Sequence, residues 1–377
     1  MLHLPSETPS TSRWSETLTV RSGELRKIFI LTHEGIGDLV FLLPALRALK
    51  SNLPELRILM PVSSIQRHLA GTLQGSLVDT FPLYDRGFSH LLREVRRFQP
   101  DVFFEFDGGL RYAALAMCSG ARRRIHPPAE LVKPYASALH REALALNAGG
   151  HRVETLLALV DRLGLKRTDI SFDFPVPDQY RQSAESMIER YIPSGSVALI
   201  PSAGTRWKDW PAESLQQTVD ILARDLKRSV VLIGRDKKYP DLRHVIDLTG
   251  RSDFLTDAYL LRYSGAFAVA AGVDTGMMQI AGSINSNPGG NYAGVTGNRT
   301  VSLFGPTEAS IYRPYDPTQQ FNLVVKPRMT STAMGAVGWA GDRFERHYMK
   351  EIDTREIVES VERHFAAIRA ADSPSRA

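Results

Sequence analysis

The chain has 377 residues, 43% of them hydrophobic and 23% charged. That is ordinary globular composition with more length than one hydrophobic core organises, so two domains are expected. Lys and Arg number 46 against 41 Asp and Glu, and this formal +5 gives no ground for a nucleic-acid partner. The single cysteine, Cys118, excludes an intrachain disulfide and a cysteine-rich metal site. No run of about eighteen apolar residues marks a membrane span, which makes a soluble, cytoplasmic protein the expectation.

Residues 1–23 are rich in Ser, Thr, Pro and Glu and resemble neither a secretory signal nor an anchor, so disorder is expected there. A first α/β domain is expected over 24–175, with strands at Ile28 to Thr32, Arg57 to Pro61 and Asp101 to Phe106 between segments of helical periodicity. Between the first strand and an apolar helix from Leu39 lies Gly35-Ile36-Gly37-Asp38. A turn there faces the crevice in which open parallel sheets bind ligands, so the Asp38 carboxylate is a candidate for chemistry. As a dinucleotide fingerprint the turn is poor, because no third glycine follows and no acidic residue ends the second strand. Arg93, Arg96, Arg97, Arg111, Arg122, Arg123, Arg124, Lys133, Arg141 and Arg152 crowd this half, suggesting an anionic partner; solvated helix faces are the alternative for the first three. A helix from His151 to Leu163 ends at Gly164, and the prolines of Phe172 to Pro177 mark the linker.

The second domain, 176–353, repeats the alternation. Strands are expected at Val197 to Pro201, Ser229 to Gly234, Ala266 to Val273 and Thr300 to Phe304, with helices at Pro211 to Asp225, Asp253 to Tyr263 and Met277 to Gly282. Asp274-Thr275-Gly276 follows a strand, with Asp274 placed to cap the next helix and Gly276 leaving N–H groups open to an anion such as a diphosphate. The upstream turn from Pro201 to Lys208, with Ser202 and Thr205, supplies hydroxyls and cations for the same purpose. Each motif alone also reads as an ordinary cap or turn, Gly305-Pro306-Thr307 included. A last helix from Thr354, within the 354–377 segment, is placed to cross back and brace the first domain.

Ile36-Gly37-Asp38 through Lys50, Asp107 to Arg111 with Ser119 to Ile125, His151 to Glu154, Trp207 to Pro211, Asp274-Thr275-Gly276 and Phe304 to Thr307 together resemble glycosyltransferase family 9, the lipopolysaccharide heptosyltransferases. The resemblance implies a GT-B fold of two facing Rossmann-like domains and inverting, metal-independent transfer of heptose from ADP-heptose to an anionic lipid-linked acceptor. It also implies a peripheral position on the cytoplasmic face of the inner membrane. Carried onto this chain, Asp38 is the general base, and Gly37, Arg111, Arg122, Arg123 and Arg124 meet the acceptor. Ser202, Thr205, Lys208, Asp274, Thr275, Gly276 and Gln279 hold the donor, with Gly234, Arg235, Gly305, Pro306 and Thr307 lining its nucleoside. No cofactor is implied, since the ADP-sugar is a substrate.

Three features depart from the family pattern. Gln279 stands where many members carry histidine, and a glutamine donates a hydrogen bond without positive charge. The polar, glycine-rich 282–299 loop replaces a short turn and reads as an insertion, while His33-Glu34 stand where small residues are common. A relative using another sugar nucleotide for a different polysaccharide or protein acceptor, or a non-catalytic sugar-nucleotide-binding protein, are the alternatives.

Overall fold

The computed structural model describes residues 25–80, 82, 87–106, 109–126, 142–144, 150–286, 298–305, 307–327 and 347–372. The 1–23 segment, Asp107, Lys133, Arg141, Pro306 and most of the 282–299 loop lie outside them.

The first half forms a parallel sheet from β1 (Lys27–Leu31), β2 (Arg57–Leu59), β3 (Val102–Glu105), β4 (Arg123–His126) and β5 (Glu142–Ala143), in the order β2-β1-β3-β4-β5. Its helices are α1 (Ile36–Asn52), α2 (Arg67–Leu73), α3 (Phe88–Phe98), α4 (Leu110–Cys118) and α5 (Arg152–Arg162). β1 pairs with both β2 and β3, and its two faces are covered by separate apolar clusters, so Ile28, Phe29, Ile30 and Leu31 are all apolar and fully buried. α1 begins at Ile36 rather than Leu39, which puts Ile36, Gly37 and Asp38 in its first turn.

The second half contains α6 (Asp178–Tyr191), β6 (Ser196–Ile200), α7 (Ala212–Asp220), β7 (Val230–Leu232), β8 (Ile246–Asp247), α8 (Phe254–Arg262) and β9 (Phe267–Val273). It continues with α9 (Gly276–Gly282), β10 (Arg299–Leu303), α10 (Ala309–Tyr312), β11 (Asn322–Val325), α11 (His347–Lys350) and α12 (Thr354–Asp372). Its sheet is parallel in the order β11-β10-β9-β6-β7-β8. The helix expected to run unbroken to Asp225 passes into a π turn at Ile221–Asp225. Among the described residues α12 packs on the core of the second half. Its Ile357, Val358, Val361 and Phe365 stripe joins Leu215, Val219 and Leu222 in the second core, and His364 Nε2 lies 3.0 Å from the Thr300 carbonyl oxygen.

The two halves share a buried apolar seam. Leu255, Ala258, Ile280 and Tyr315 of the second half lie in the same buried cluster as Leu39, Val40 and Leu43 of α1. Beside it, the linker is tied down by Arg262, whose side chain is 0% exposed. Its Nε donates to Asp173 Oδ1 at 2.9 Å, Nη1 to the Ile280 and Ser283 carbonyls, each at 2.9 Å, and Nη2 to Asn285 Oδ1 at 2.9 Å. Arg47 of α1 donates to the Asp173 carbonyl, and Ile170 and Ser286 exchange backbone hydrogen bonds at 2.7 and 2.9 Å. The start of the 282–299 loop is therefore part of the linker clasp. Arg262→Leu leaves several of these acceptors unpaired and is expected to cost on the order of 3 kcal/mol, read as a lowered urea midpoint.

Candidate active site

The carboxyl ends of β1 and β9 meet at two glycines. A Cβ on Gly276 would stand 2.7 Å from Ile36 Cβ and 2.8 Å from the Gly37 nitrogen, and one on Gly37 would stand 3.3 Å from Gln279 Cγ. Only bare backbone allows this approach. Asp38 follows directly, half-buried, its carboxylate folded back over Gly35, where a Cβ would lie 2.7 Å from Oδ2.

Across the seam, Asp274 does not cap α9. Thr275 occupies the cap position without a side-chain bond, and the Asp274 carboxylate, 8% exposed, faces two other donors instead. Lys208 Nζ donates to its Oδ2 at 2.5 Å and Thr307 Oγ1 donates to the same atom at 2.8 Å. A carboxylate is a poor phosphate ligand but a good anchor, and this one fixes a cation and a hydroxyl at the mouth of the β9 turn. The Lys208 turn is held independently: Asp209 Oδ1 accepts from the Ala203 nitrogen at 2.9 Å, and Lys238 Nζ bonds Asp209 at 3.0 Å. Trp210 is buried and packs the helix start, while Lys208 Nζ lies 5.2 Å from the centre of the Trp207 ring.

Loops after β6, β7 and β8 converge beside this turn, since a Cβ on Gly234 would lie 3.7 Å from both Ser202 Oγ and Thr249 Cγ2. Thr205 is exposed at the start of the short turn that carries Lys208. Arg235 is also exposed and pairs with Asp236, and Gly305 lies close under Met349. Gln279 is only 2% exposed. Its Nε2 donates to the Tyr312 carbonyl at 2.5 Å, and its Oε1 has no hydrogen-bond partner among the described residues.

The acceptor arginines expected together are separated. Arg122 precedes β4 and lines a cavity of about 890 Å³ with Arg26, Arg96 and Gly120, at the amino end of the sheet and away from Asp38. Arg123 is taken up by Glu142, with bonds of 2.8 and 2.6 Å, and the Arg123 and Arg162 cations hold that carboxyl below the usual range against the opposing effect of burial. Arg124 sits within β4 opposite Phe103. Arg111 alone of the four opens a helix at the carboxyl end, exposed, with its guanidinium 5.8 Å from the Tyr112 ring centre. β4 escaped the sequence reading because Arg-Arg-Ile-His lacks an apolar run.

Other residues at this end were not anticipated. Ser63 and Gln66 bond the carbonyls of the loop before Asp38, and Thr249 faces Gly234. At the base of the seam Arg152 Nη2 donates to Tyr312 Oη at 2.7 Å, and Tyr315 Oη donates to Glu154 Oε1 at 2.6 Å. His151 Nδ1 accepts from the Val153 nitrogen at 3.2 Å while Nε2 donates to the Arg313 carbonyl at 2.7 Å, an arrangement only the neutral ring makes. Among the described residues no group of three or more His, Cys, Asp or Glu side chains could hold a metal ion, and no helix is long and apolar enough to cross a membrane.

The family model for glycosyltransferase family 9 (heptosyltransferase) matches residues 88–335. The chain belongs to glycosyltransferase family 9. No curated protein sequence matches this glycosyltransferase. Among solved structures it is similar to the family 9 glycosyl transferase of Veillonella parvula, with TM-score 0.64 and 16% identity over 91% of this chain and 99% of that one. It is also similar to the E. coli ADP-heptose lps heptosyltransferase II, with TM-score 0.63 and 15% identity over 91% and 99%. The E. coli heptosyltransferase WaaC with ADP gives 0.58 and 14% over 90% and 99%. At such identities the likeness establishes the fold: two parallel-sheet α/β domains of the GT-B kind.

Burial pushes the His151 imidazole down to about 4 from 6.5, with the Arg313 and Arg152 charges acting in the same direction against its carbonyl partner and Glu154. As pH falls from about 6.5 the unfolded chain takes up a proton that native His151 refuses, so stability is present above that pH and drains away towards 4, by at most about 3 kcal/mol. His364 is pushed down to about 4 as well, so the measurement is a difference. The urea midpoint should drop less between about pH 7 and 5 in His151→Gln than in the wild type, and equal drops would contradict the assignment.

Proposed function

We propose that this glycosyltransferase moves a heptose, with inversion, from ADP-heptose held by the second half to an anionic, lipid-linked saccharide held by the first. The observation that carries the reading is the glycine contact, which fixes Asp38 beside the loop where Asp274 presents Lys208 and Thr307. In this reading the acceptor hydroxyl gives its proton to the Asp38 carboxylate as its oxygen attacks the anomeric carbon. The bond from that carbon to the diphosphate breaks, and ADP departs with the electron pair. Lys208, Thr205, Thr307 and the amides at Thr275 and Gly276 meet the charge developing on the leaving group, so no metal is required by the scheme. Ser202, Gly234 and Thr249 border the nucleoside. Arg111 is the arginine placed to meet an acceptor phosphate or carboxylate.

A second reading, a relative using another sugar nucleotide, draws support from Gln279. This side chain brings no charge and spends its amide on Tyr312. A donor screen with mass-resolved products separates the two readings.

Asp38→Asn should lower kcat by about 10²–10⁴-fold with ADP affinity nearly unchanged, since a general base contributes roughly that much. Wild-type turnover in that variant would sink the base assignment. Contact with the inner membrane is proposed as peripheral and electrostatic. Sedimentation with anionic vesicles should therefore weaken as salt rises, and salt-insensitive binding would point to an apolar anchor instead.

A further inference from the structure

The loop joining β1 to α1 is strapped from the side by the turn that precedes α2. The order β2-β1-β3 places the end of β2 next to the end of β1, and after β2 the chain reads Ser63-Ser64-Ile65-Gln66. The Ser63 nitrogen donates to Gln66 Oε1 at 3.1 Å and the Gln66 nitrogen donates to Ser63 Oγ at 3.3 Å. This is a reciprocal Ser–Gln box that closes the turn leading into α2, whose own cap position, Gln66, carries no side-chain cap bond. It leaves three side-chain hydrogens over, and all three reach across to the neighbouring loop. Ser63 Oγ donates to the Glu34 carbonyl at 2.8 Å, and Gln66 Nε2 donates to the carbonyls of His33 at 3.0 Å and Gly35 at 2.8 Å.

Three consecutive carbonyls are thus held by two buried side chains, Ser63 at 6% and Gln66 at 2% exposure. The amide of Gln66 admits one orientation, because a flip would set its oxygen against two carbonyl oxygens and its NH₂ against the Ser63 N–H. The third carbonyl belongs to Gly35, the cap residue of α1 over which the Asp38 carboxylate folds. Glu34 and Gly35 are exposed. Thr32 Oγ1 also donates to the His33 carbonyl at 3.3 Å and the Leu39 nitrogen to that of Gly35 at 3.4 Å, so for both carbonyls the bond from Gln66 is the shorter one.

We propose that Ser63 and Gln66 are positioning residues for the transfer reaction, locking the 33–35 backbone so that Asp38 meets the acceptor hydroxyl at a fixed distance. The proposal rests on the reading of Asp38 as the base. Misplacing a reacting group by about 1 Å costs as much as a hundredfold in rate, so a box that only closed the turn before α2 would leave kcat alone while a strap would not.

Gln66→Glu separates the two roles. Its carboxylate still accepts the Ser63 N–H and preserves the box, but it offers no hydrogen to His33 and Gly35 until it is protonated. At about pH 8 the expected result is a kcat lowered about tenfold to a hundredfold, donor KM within about twofold of wild type, and faster amide hydrogen exchange confined to 33–38. As pH falls, activity relative to wild type should recover, because the protonated acid regains one donor. Ser63→Ala, which keeps both Gln66 bonds to the loop, should give a smaller loss of the same kind. Wild-type kcat in Gln66→Glu alongside an inactive Asp38→Asn overturns the strap. So does a loss that ignores pH and extends to donor KM. Full activity in Asp38→Asn overturns the base reading instead, and exchange at 33–38 then still reports whether the loop is strapped.

Discussion

The geometry depends on a steric constraint more than on any attraction. Gly37 and Gly276 bring two backbones from different domains so close that Gly276 has no room for a methyl group, and Gly37 has room for one only if the Gln279 side chain gives way. Two helix starts, α1 and α9, are thereby abutted end to side, and the strands that feed them, β1 and β9, deliver their carboxyl ends to a common point. Two carboxylates lie within two residues of that contact in sequence: Asp38 on one side, and on the other Asp274, which holds Lys208 and Thr307. Dispersion in the apolar cluster around Leu39, Ile280 and Tyr315 keeps the surfaces together, and the Arg262 clasp fixes the path of the linker between them.

Charge at the site is arranged by neighbours, in a pattern repeated on both sides. Asp274 orients Lys208 and Thr307, and Asp209 holds the turn that carries Lys208. On the first domain, uncharged amides and hydroxyls fulfil the equivalent duty for the Asp38 loop. The difference suits the proposed roles, because a carboxylate partner aims the Lys208 side chain while backbone hydrogen bonds set the position of the Asp38 loop.

Much of this is legible in the residues. The β1 strand, the Gly35-to-Asp38 turn, the β9 strand and the Asp274-Thr275-Gly276 turn are local patterns, because a buried parallel strand must be apolar and a close approach must be glycine. The placement of Lys208 beside Asp274 spans 66 positions, and no local spacing encodes it. Asp274 looks like a helix cap by its position, and the tertiary ion pair overrides that propensity. Arg122, Arg123 and Arg124 look like one basic cluster because they are contiguous. A strand sends alternate residues to opposite faces and its two ends to opposite edges of the domain, so contiguity there means separation. Ser63 and Gln66 do carry a local signature, the S-x-x-Q spacing, but what their spare hydrogens reach is set by strand order. Gln279 departs from the family pattern at a position that the fold has closed in under Tyr312, and its sequence context says nothing of that burial.

The shared apolar cluster constrains how such a molecule can breathe. Pulling the halves straight apart would wet Leu255, Ala258, Ile280 and Tyr315 together with the α1 residues they cover, at roughly 25 cal/mol for every Å² exposed. A displacement of α9 along α1 would expose less of that surface. Relative movement of the two halves is therefore cheaper as shear along this seam than as straight opening, and the bare glycine backbones lie on the surface that would slide.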